Sequence, residues 1–416
     1  MSGLPPLPCE VAVWHPGSRQ VLRRGDALPV LDFPQGSDPA GVVRAVWGLT
    51  VWPLHDLGAR FGLGGPVHLQ AQSELAPAGL AWSPVLPEPV PGARPWQRPG
   101  WPAHTLAWLD TELAARGQGR RGPPTFVSMH DLNTVWEVSL HAGPAEATSA
   151  FLKVSETGRE AAVTAEVART LPTLVPPLLG AWPERGAQLV ASGGQLLDGV
   201  ADLDAWTQAL TRLADVQRRA DPTALAAAGC PAWPLGRAGE AILVLLDDAA
   251  ALRNWNLPEA EIAALQADRS QVRALLRDLT AHGLPDRPSH GDAHPRNALH
   301  GVRGSVWFDW SEATCAAHPF MDAGWFLAFA LHPQRGGLPV RSRAGLETEL
   351  AGAFLRAWDC PDAAPLLWRA LPLALLHRAV VYDRQFRDWA GTVPGWRPQY
   401  TRFALRQAVG ELTRLG

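Results

Sequence analysis

Ser289-His290-Gly291-Asp292-Ala293-His294-Pro295-Arg296-Asn297-Ala298-Leu299 is followed, after a short turn, by Val306-Trp307-Phe308-Asp309. A carboxylate, an amide five positions later and a second carboxylate ending a short apolar run are gathered in one local stretch. Gly291 and Pro295 punctuate a loop, and the apolar runs on either side of Gly301 read as two strands of a hairpin. Asn297 and Asp309 therefore sit on neighbouring strands.

Those residue types suit phosphoryl transfer. Its charge-rich transition state needs positioning and counter-charge more than covalent help. One Asp orients the attacking hydroxyl, while an Asn and a second Asp supply the hard oxygen ligands that Mg2+ prefers. The Asp-to-Asn spacing resembles the kinase catalytic loop H-R-D-x-x-x-x-N, and Asp309-Trp310-Ser311 stands where a D-F-G segment would.

The 416 residues, 47% hydrophobic and 19% charged, fit a folded chain with room for two or three domains. A net charge of -3 gives no general attraction to nucleic acid or an anionic membrane. No apolar run reaches membrane-spanning length, and the first ten residues lack the pattern of a signal peptide. The four cysteines, Cys9, Cys230, Cys315 and Cys360, are scattered without metal or disulfide spacing. A reducing cytoplasm is the expectation.

Of 37 basic residues, 36 are Arg and one is Lys, Lys153. A bias this strong replaces lysine wherever a solvated positive charge suffices, so the surviving ammonium marks a place where a planar guanidinium fails. Lys153 ends the strand pattern Phe151-Leu152-Lys153-Val154. The helix expected over 158–171 offers Glu160 and Glu166 as its partners. On a helical wheel Glu160 shares the stripe of Val163, Val167 and Leu171, and Glu166 falls off it. Glu160 is thus the carboxylate that faces the core and needs a cation.

Taken in order, residues 1–97 read as an accessory α+β unit. It has a hairpin over 10–23, a helix over 39–51 and a strand over 66–72. The unit is faintly similar to the start of a Nudix-like domain, without that family's acidic R-E-x-x-E-E helix, so a structural or substrate-covering role is expected. The proline-rich run 84–102 is a connector, and an amphipathic helix follows over 101–116. Three strands are expected over 125–129, 135–140 and 150–154, with a turn at Gly143-Pro144. Between the first two, His130-Asp131-Leu132-Asn133-Thr134 contains no glycine. Asn133 and Thr134 are candidates for phosphate contact or simply form the turn. Ser192-Gly193-Gly194 reads as a hinge, beyond which helices dominate to the C-terminus and strand patterns nearly vanish.

His290-Gly291-Asp292, Asn297, Asp309 and His318-Pro319-Phe320-Met321-Asp322, with Lys153 upstream, resemble the aminoglycoside phosphotransferase and choline kinase-like group. The resemblance covers roughly residues 100–416. It implies a bilobal protein-kinase-like α+β fold, with an N-lobe over 98–194 and a helical C-lobe over 195–416. It also implies a phosphotransferase using ATP and Mg2+ on a small-molecule hydroxyl. By that likeness Asp292 is the catalytic base, Asn297 and Asp309 hold Mg2+, and Lys153 with its partner Glu160 contacts the nucleotide. Asp322 and His290 are scaffold. Two departures stand out: the nucleotide loop lacks glycine, and Arg296 occupies a commonly small position.

The acceptor is open. The arginines beyond residue 365 (Arg369, Arg378, Arg384, Arg387, Arg397, Arg402 and Arg406) point to a neutral or anionic hydroxyl compound, or are solvated helix faces. A nucleotide-binding pseudokinase is the alternative reading. A further one takes His290, Asp292 and His294 as metal ligands of a hydrolase.

Overall fold

A computed structural model describes residues 6–34, 37–55, 66–87, 93–129, 132–141, 148–332, 343–389 and 399–415. They fall into two compact units that divide between Glu156 and Thr157. The Gly143-Pro144 turn, His130, Asp131 and Arg397 lie outside the described residues.

In the first unit, β1 (Leu7–Trp14), β2 (Val21–Arg23), β3 (Val30–Phe33), β4 (Val51–His55), β5 (Val67–Ala71) and β6 (Ala81–Ser83) form one sheet. Its order is β4-β5-β1-β2-β6, with β3 paired to β1. The expected hairpin is present, with Trp14 opposite Val21. Helix α1 (Pro39–Trp47) starts where the Asp38 carboxylate accepts from the backbone N–H groups of Ala40 and Gly41. It stops four residues short of Val51, because Gly48 takes the left-handed conformation that ends helices, and Val51 instead opens β4. Val11, Val13, Val43, Val67 and Leu69 are fully buried in the core between helix and sheet.

Helix α2 (Trp101–Ala114) buries Leu109 and Leu113. Strands β7 (Thr125–Met129), β8 (Asn133–Ser139) and β9 (Ser149–Ser155) then run antiparallel, with Val135 opposite Lys153. Trp136 of β8 is buried against Trp52 of β4, ring centroids 4.2 Å apart. Aromatic contact therefore joins the first sheet to the sheet that carries Lys153.

The second unit opens with α3 (Arg159–Thr170) and the antiparallel pair β10 (Leu178–Trp182) and β11 (Ala187–Ala191). Next, β12 (Gln195–Leu196) pairs with β15 (Ala298–Gly301), which pairs with β16 (Gly304–Trp307). The glycines read as a hinge have a packing reason. At Gly194, φ is 128° and an added Cβ would lie 2.2 Å from the His300 carbonyl oxygen, so only glycine lets the chain seat against β15.

Helices α4 (Leu203–Arg219), α5 (Pro222–Ala227), α6 (Leu235–Asp247), α7 (Ala249–Asn254), α8 (Glu259–Ala267) and α9 (Arg269–His282) follow. Two Asp residues interrupt this helical run. Asp248 turns its carboxylate back to the Ala251 N–H and starts α7, and the second break falls at Asp268. A small sheet of β13 (Ala232–Trp233), β14 (Arg287–Ser289) and β17 (Thr314–Ala317) corrects the expectation that strands all but end after residue 194. Strands of two to four residues are too short to show an alternating pattern.

The core of this unit is α10 (Phe320–Leu331), buried from Phe320 to Ala330, together with α12 (Ala364–Phe386). Between them α11 (Gly352–Ala357) packs on α4, and α13 (Gln399–Leu415) packs on α12. Pro361–Phe386 is, among the described residues, the one helical stretch long and apolar enough to cross a membrane, and 72% of its apolar window is buried in the protein.

Candidate active site

Strand β14 delivers the chain into His290-Gly291-Asp292, and α10 clamps it there. Asp322, in the first turn of α10, accepts from the backbone N–H of His290 at 2.8 Å and of Gly291 at 2.9 Å. Gln217 of α4 donates to the same carboxylate at 3.2 Å, and Trp358 donates to Gln217 at 3.0 Å. Burial pushes the Asp322 carboxyl up to about 6, against these hydrogen bonds. Gly291 has φ 82°, and a Cβ there would lie 1.8 Å from the Glu312 carbonyl oxygen. Gly291→Ala is accordingly expected to cost at least about 2 kcal/mol, the scale of a strained left-handed residue plus a clash, measured as a lower denaturation midpoint. An unchanged midpoint would show that the loop relaxes.

The His290 ring is a neutral wedge. Its Nε2 lies 2.8 Å from the Phe308 carbonyl, which can only accept, so Nε2 carries the proton. The ring packs on Trp307 and Trp310, and burial pulls its pKa down to about 4.

Asp292 lies in a ring of donors. Its Oδ1 accepts from Trp325 Nε1 at 2.9 Å. Its Oδ2 accepts from Asn297 Nδ2 at 3.3 Å and lies 3.3 Å from Arg378 Nη2 and 3.5 Å from His294 Nε2. His294 Nδ1 accepts from the Arg296 N–H, which leaves the proton on Nε2, facing Asp292. The imidazole stacks on Phe329 at 4.7 Å. Burial alone would raise the Asp292 carboxyl. The Arg378 guanidinium, and after it His294, more than offset burial and hold it well below the usual carboxylate range.

Arg378 is only 4% exposed. It donates to the Gly291 carbonyl at 3.0 Å and lies 4.2 Å from the centre of the Tyr382 ring. Burial disfavours its charge, but the attraction of Asp292 wins and raises its pKa. Burial also pushes the Tyr382 hydroxyl up to about 12.

Asn297 donates a second time through Nδ2, to the Asp292 main-chain carbonyl at 3.0 Å, so its amide oxygen is turned away from Asp292. The β15–β16 register puts Ala298 opposite Trp307, and Phe308 N–H bonds to Asn297 O at 3.0 Å. Asn297 and Asp309 are thereby brought to adjacent strand ends. Asp309 is held at φ 62°, an uncommon conformation for Asp, and accepts from Ser311 Oγ at 2.8 Å. An amide oxygen and a carboxylate so presented fit a magnesium ion, which takes few protein ligands and keeps the rest for water and phosphate.

The His290, Asp292 and His294 metal set is corrected. His290 turns its protonated nitrogen to Phe308, and among the described residues no group of three His, Cys, Asp or Glu is placed to hold a metal.

Glu160 is 2% exposed on α3 and accepts from Gln188 at 2.8 Å, while Glu166 pairs with Arg169. Lys153 is half-buried on β9. Asn133 and Thr134 open β8. Thr134 is fully buried, with its hydroxyl donating to the Ser128 carbonyl at 3.3 Å across the hairpin, which accounts for it as a turn-closing residue. Arg296 points outward to Asp198 at 3.0 Å. Arg369 and Arg406 pair with surface acids and Arg387 with Asp248 and the buried Asp383, so of the described C-terminal arginines it is Arg378 that reaches Asp292.

The sequence reading missed the roles of Trp325, Gln217, Glu312 and Arg378. Glu312 is held near Asp292, Asp309, Arg159 and Arg378, and burial raises its carboxyl. One signal was available for Arg378: it is the sole Arg, Lys, Asp or Glu between Arg369 and Asp383, in a run otherwise apolar but for His377 and Tyr382. A lone charge in such a run needs a buried partner.

A solved structure agrees with the kinase-like fold expected from the sequence. A choline kinase from Cryptosporidium parvum Iowa II matches with a TM-score of 0.50 and 9% identity, over 70% of this chain and 89% of its own. A choline/ethanolamine kinase family protein from Mesorhizobium loti matches with a TM-score of 0.48 and 15% identity, over 75% and 99%. A macrolide 2'-phosphotransferase type I matches with a TM-score of 0.45 and 17% identity, over 73% and 97%. Neither a protein-family model nor a curated relative matches the chain. At 9% identity the choline kinase match shows a kinase-like fold alone and leaves the chemistry and the substrate to the site.

Proposed function

We propose that the chain is an ATP- and Mg2+-dependent phosphotransferase that moves the γ-phosphoryl group to a hydroxyl of a small molecule. The observation that carries the reading is the Asp292–Asn297 pair, with the Asn amide nitrogen spent on Asp292 and its oxygen left for a cation beside Asp309. Asp292 accepts the hydrogen bond of the acceptor hydroxyl and fixes its line of attack. Trp325 and Asn297 hold the plane of that carboxylate. Because Arg378 keeps it ionised, it orients the hydroxyl first and takes the proton only as the new P–O bond forms. Magnesium, held by Asn297 and Asp309, would supply counter-charge to the phosphate oxygens, and Lys153 would add its ammonium to the nucleotide phosphates.

The acceptor in this reading is neutral or anionic. A buried guanidinium and an imidazole N–H beside the base disfavour a polycation. The test is an ATP-consumption screen over hydroxylated metabolites and antibiotics. Turnover is expected to need Mg2+, and Asp309→Ala to raise the KM for ATP at least about tenfold, the loss of one good charged contact. No ATP consumption with any acceptor, together with no thermal stabilisation by Mg-ATP, would overturn the proposal.

A further inference from the structure

A cavity of about 1420 Å3 opens in the first unit, far along the chain from the catalytic loop. It is walled by the tip of the β1–β2 hairpin, by His68 of β5, and by the connector from Ala93 to Gly100 with the first turn of α2. Its volume exceeds the ~300–1,000 Å3 typical of small-molecule pockets. Pro16, Leu86, Pro87 and Pro95 give it apolar walls.

The polar groups that converge on it are almost all donors. On the floor, Trp14 donates to His68 Nδ1 at 3.2 Å, which leaves the His68 proton on Nε2. Gln97, 9% exposed, has its Oε1 occupied by the Arg94 N–H at 2.7 Å, and among the described residues its Nε2 has no acceptor. His15 Nδ1 accepts from the Gly17 N–H at 3.0 Å, so its Nε2 is a donor too. On the rim, Arg98 bonds through Nε to the Ala93 carbonyl at 3.3 Å, and among the described residues its two terminal nitrogens have no acceptor. Arg19 is exposed and, among the described residues, makes no hydrogen bond or ion pair. Among the described residues Glu156 is the one carboxylate in the lining, and Arg94 is paired with it. Among the described residues three guanidiniums and an amide donor thus line the cavity with one acid, in a chain whose net charge is -3.

We infer that this cavity binds an anionic small molecule, a phosphate- or carboxylate-bearing metabolite whose charged group is received by Arg98, Arg19 and Gln97. The inference does not rest on the proposed phosphotransfer. It gives the N-terminal unit a ligand of its own. The site also reaches the strand that carries Lys153, because Glu156 directly follows β9 and stands three residues beyond that lysine. An anion that competes for Arg94 would release Glu156.

Isothermal titration of the full-length chain with inorganic phosphate and with citrate, at constant ionic strength, tests this. Saturable binding of one equivalent is expected for at least one of them. Preference for phosphate would identify a phosphate ester as the natural ligand, and preference for citrate a carboxylate. Arg98→Glu and Arg19→Glu should each raise the dissociation constant at least about tenfold, since each reverses a charge at the anion. Arg19 is exposed, so its substitution disturbs the fold least. Asp309→Ala should leave the binding unchanged. The inference fails if neither anion binds saturably, if binding survives both arginine reversals, or if Asp309→Ala removes it.

Discussion

Asp292→Asn is expected to lower kcat by about 10³-fold, within the 10²–10⁴ range that a positioned acid–base group contributes, while the affinity for Mg-ATP changes less than about twofold. The substitution keeps the shape of the side chain and removes its charge. It therefore withdraws the group that orients the acceptor and leaves Asn297 and Asp309 in place. A second consequence follows from Arg378, which is 4% exposed and faces Asp292 at 3.3 Å. Removing one partner of a buried ion pair strands the other, at a cost of roughly 3–5 kcal/mol. The variant should thus be both inactive and markedly less stable. Steady-state kinetics, nucleotide titration and denaturant unfolding of one preparation check all three effects. An active variant removes Asp292 as the base, and an inactive variant of unchanged stability removes Arg378 as its counter-charge.

The chemistry of the loop was legible because it is local. Asp292, Asn297 and Asp309 lie within one loop and hairpin, and the spacing of their side chains follows from the chain itself. Glu160 was legible for another reason: a helical wheel converts spacing into a face, and the face is buried. The long helices α4, α10, α12 and α13 were readable from their extended apolar patterns, whereas β13, β14 and β17 gave no pattern at all. What could not be read was tertiary convergence. Trp325 and Arg378 reach Asp292 from residues 33 and 86 positions away, and only the packing of α10 on α12 brings them there. Asn133 and Thr134 show the opposite failure. Placed in the loop between two expected strands, they begin a strand whose register with β9 buries Thr134.

Arg378→Gln is expected to bring an acid limb into the pH profile of kcat/KM. In the wild type, burial raises the Asp292 carboxyl but Arg378 and His294 more than reverse it, so the group stays ionised throughout the assay range and contributes no limb. Without the guanidinium the largest opposing charge is gone, burial prevails, and the pKa rises. Activity should then fall as pH is lowered, with the loss steepest in acid. The stability follows with the sign fixed by linkage. A carboxyl depressed in the folded state stabilises above its unfolded pKa of about 3.9 and loses that contribution only as pH falls through the folded value. The wild type therefore keeps the Asp292 contribution down to strongly acid pH. In the variant the buried charge is unpaired, so destabilisation should be largest near neutrality, about 3 kcal/mol or more, and should shrink as Asp292 takes up its proton. Arg378→Lys separates charge from shape. The ammonium preserves the counter-charge, so the pH profile should stay close to that of the wild type. It cannot reproduce the guanidinium fork that also holds the Gly291 carbonyl, nor its stacking on Tyr382, so stability should still fall. If the Gln and Lys variants share one pH profile, Arg378 acts by packing alone, and the ionisation of Asp292 must then be held by His294, Asn297 and Trp325.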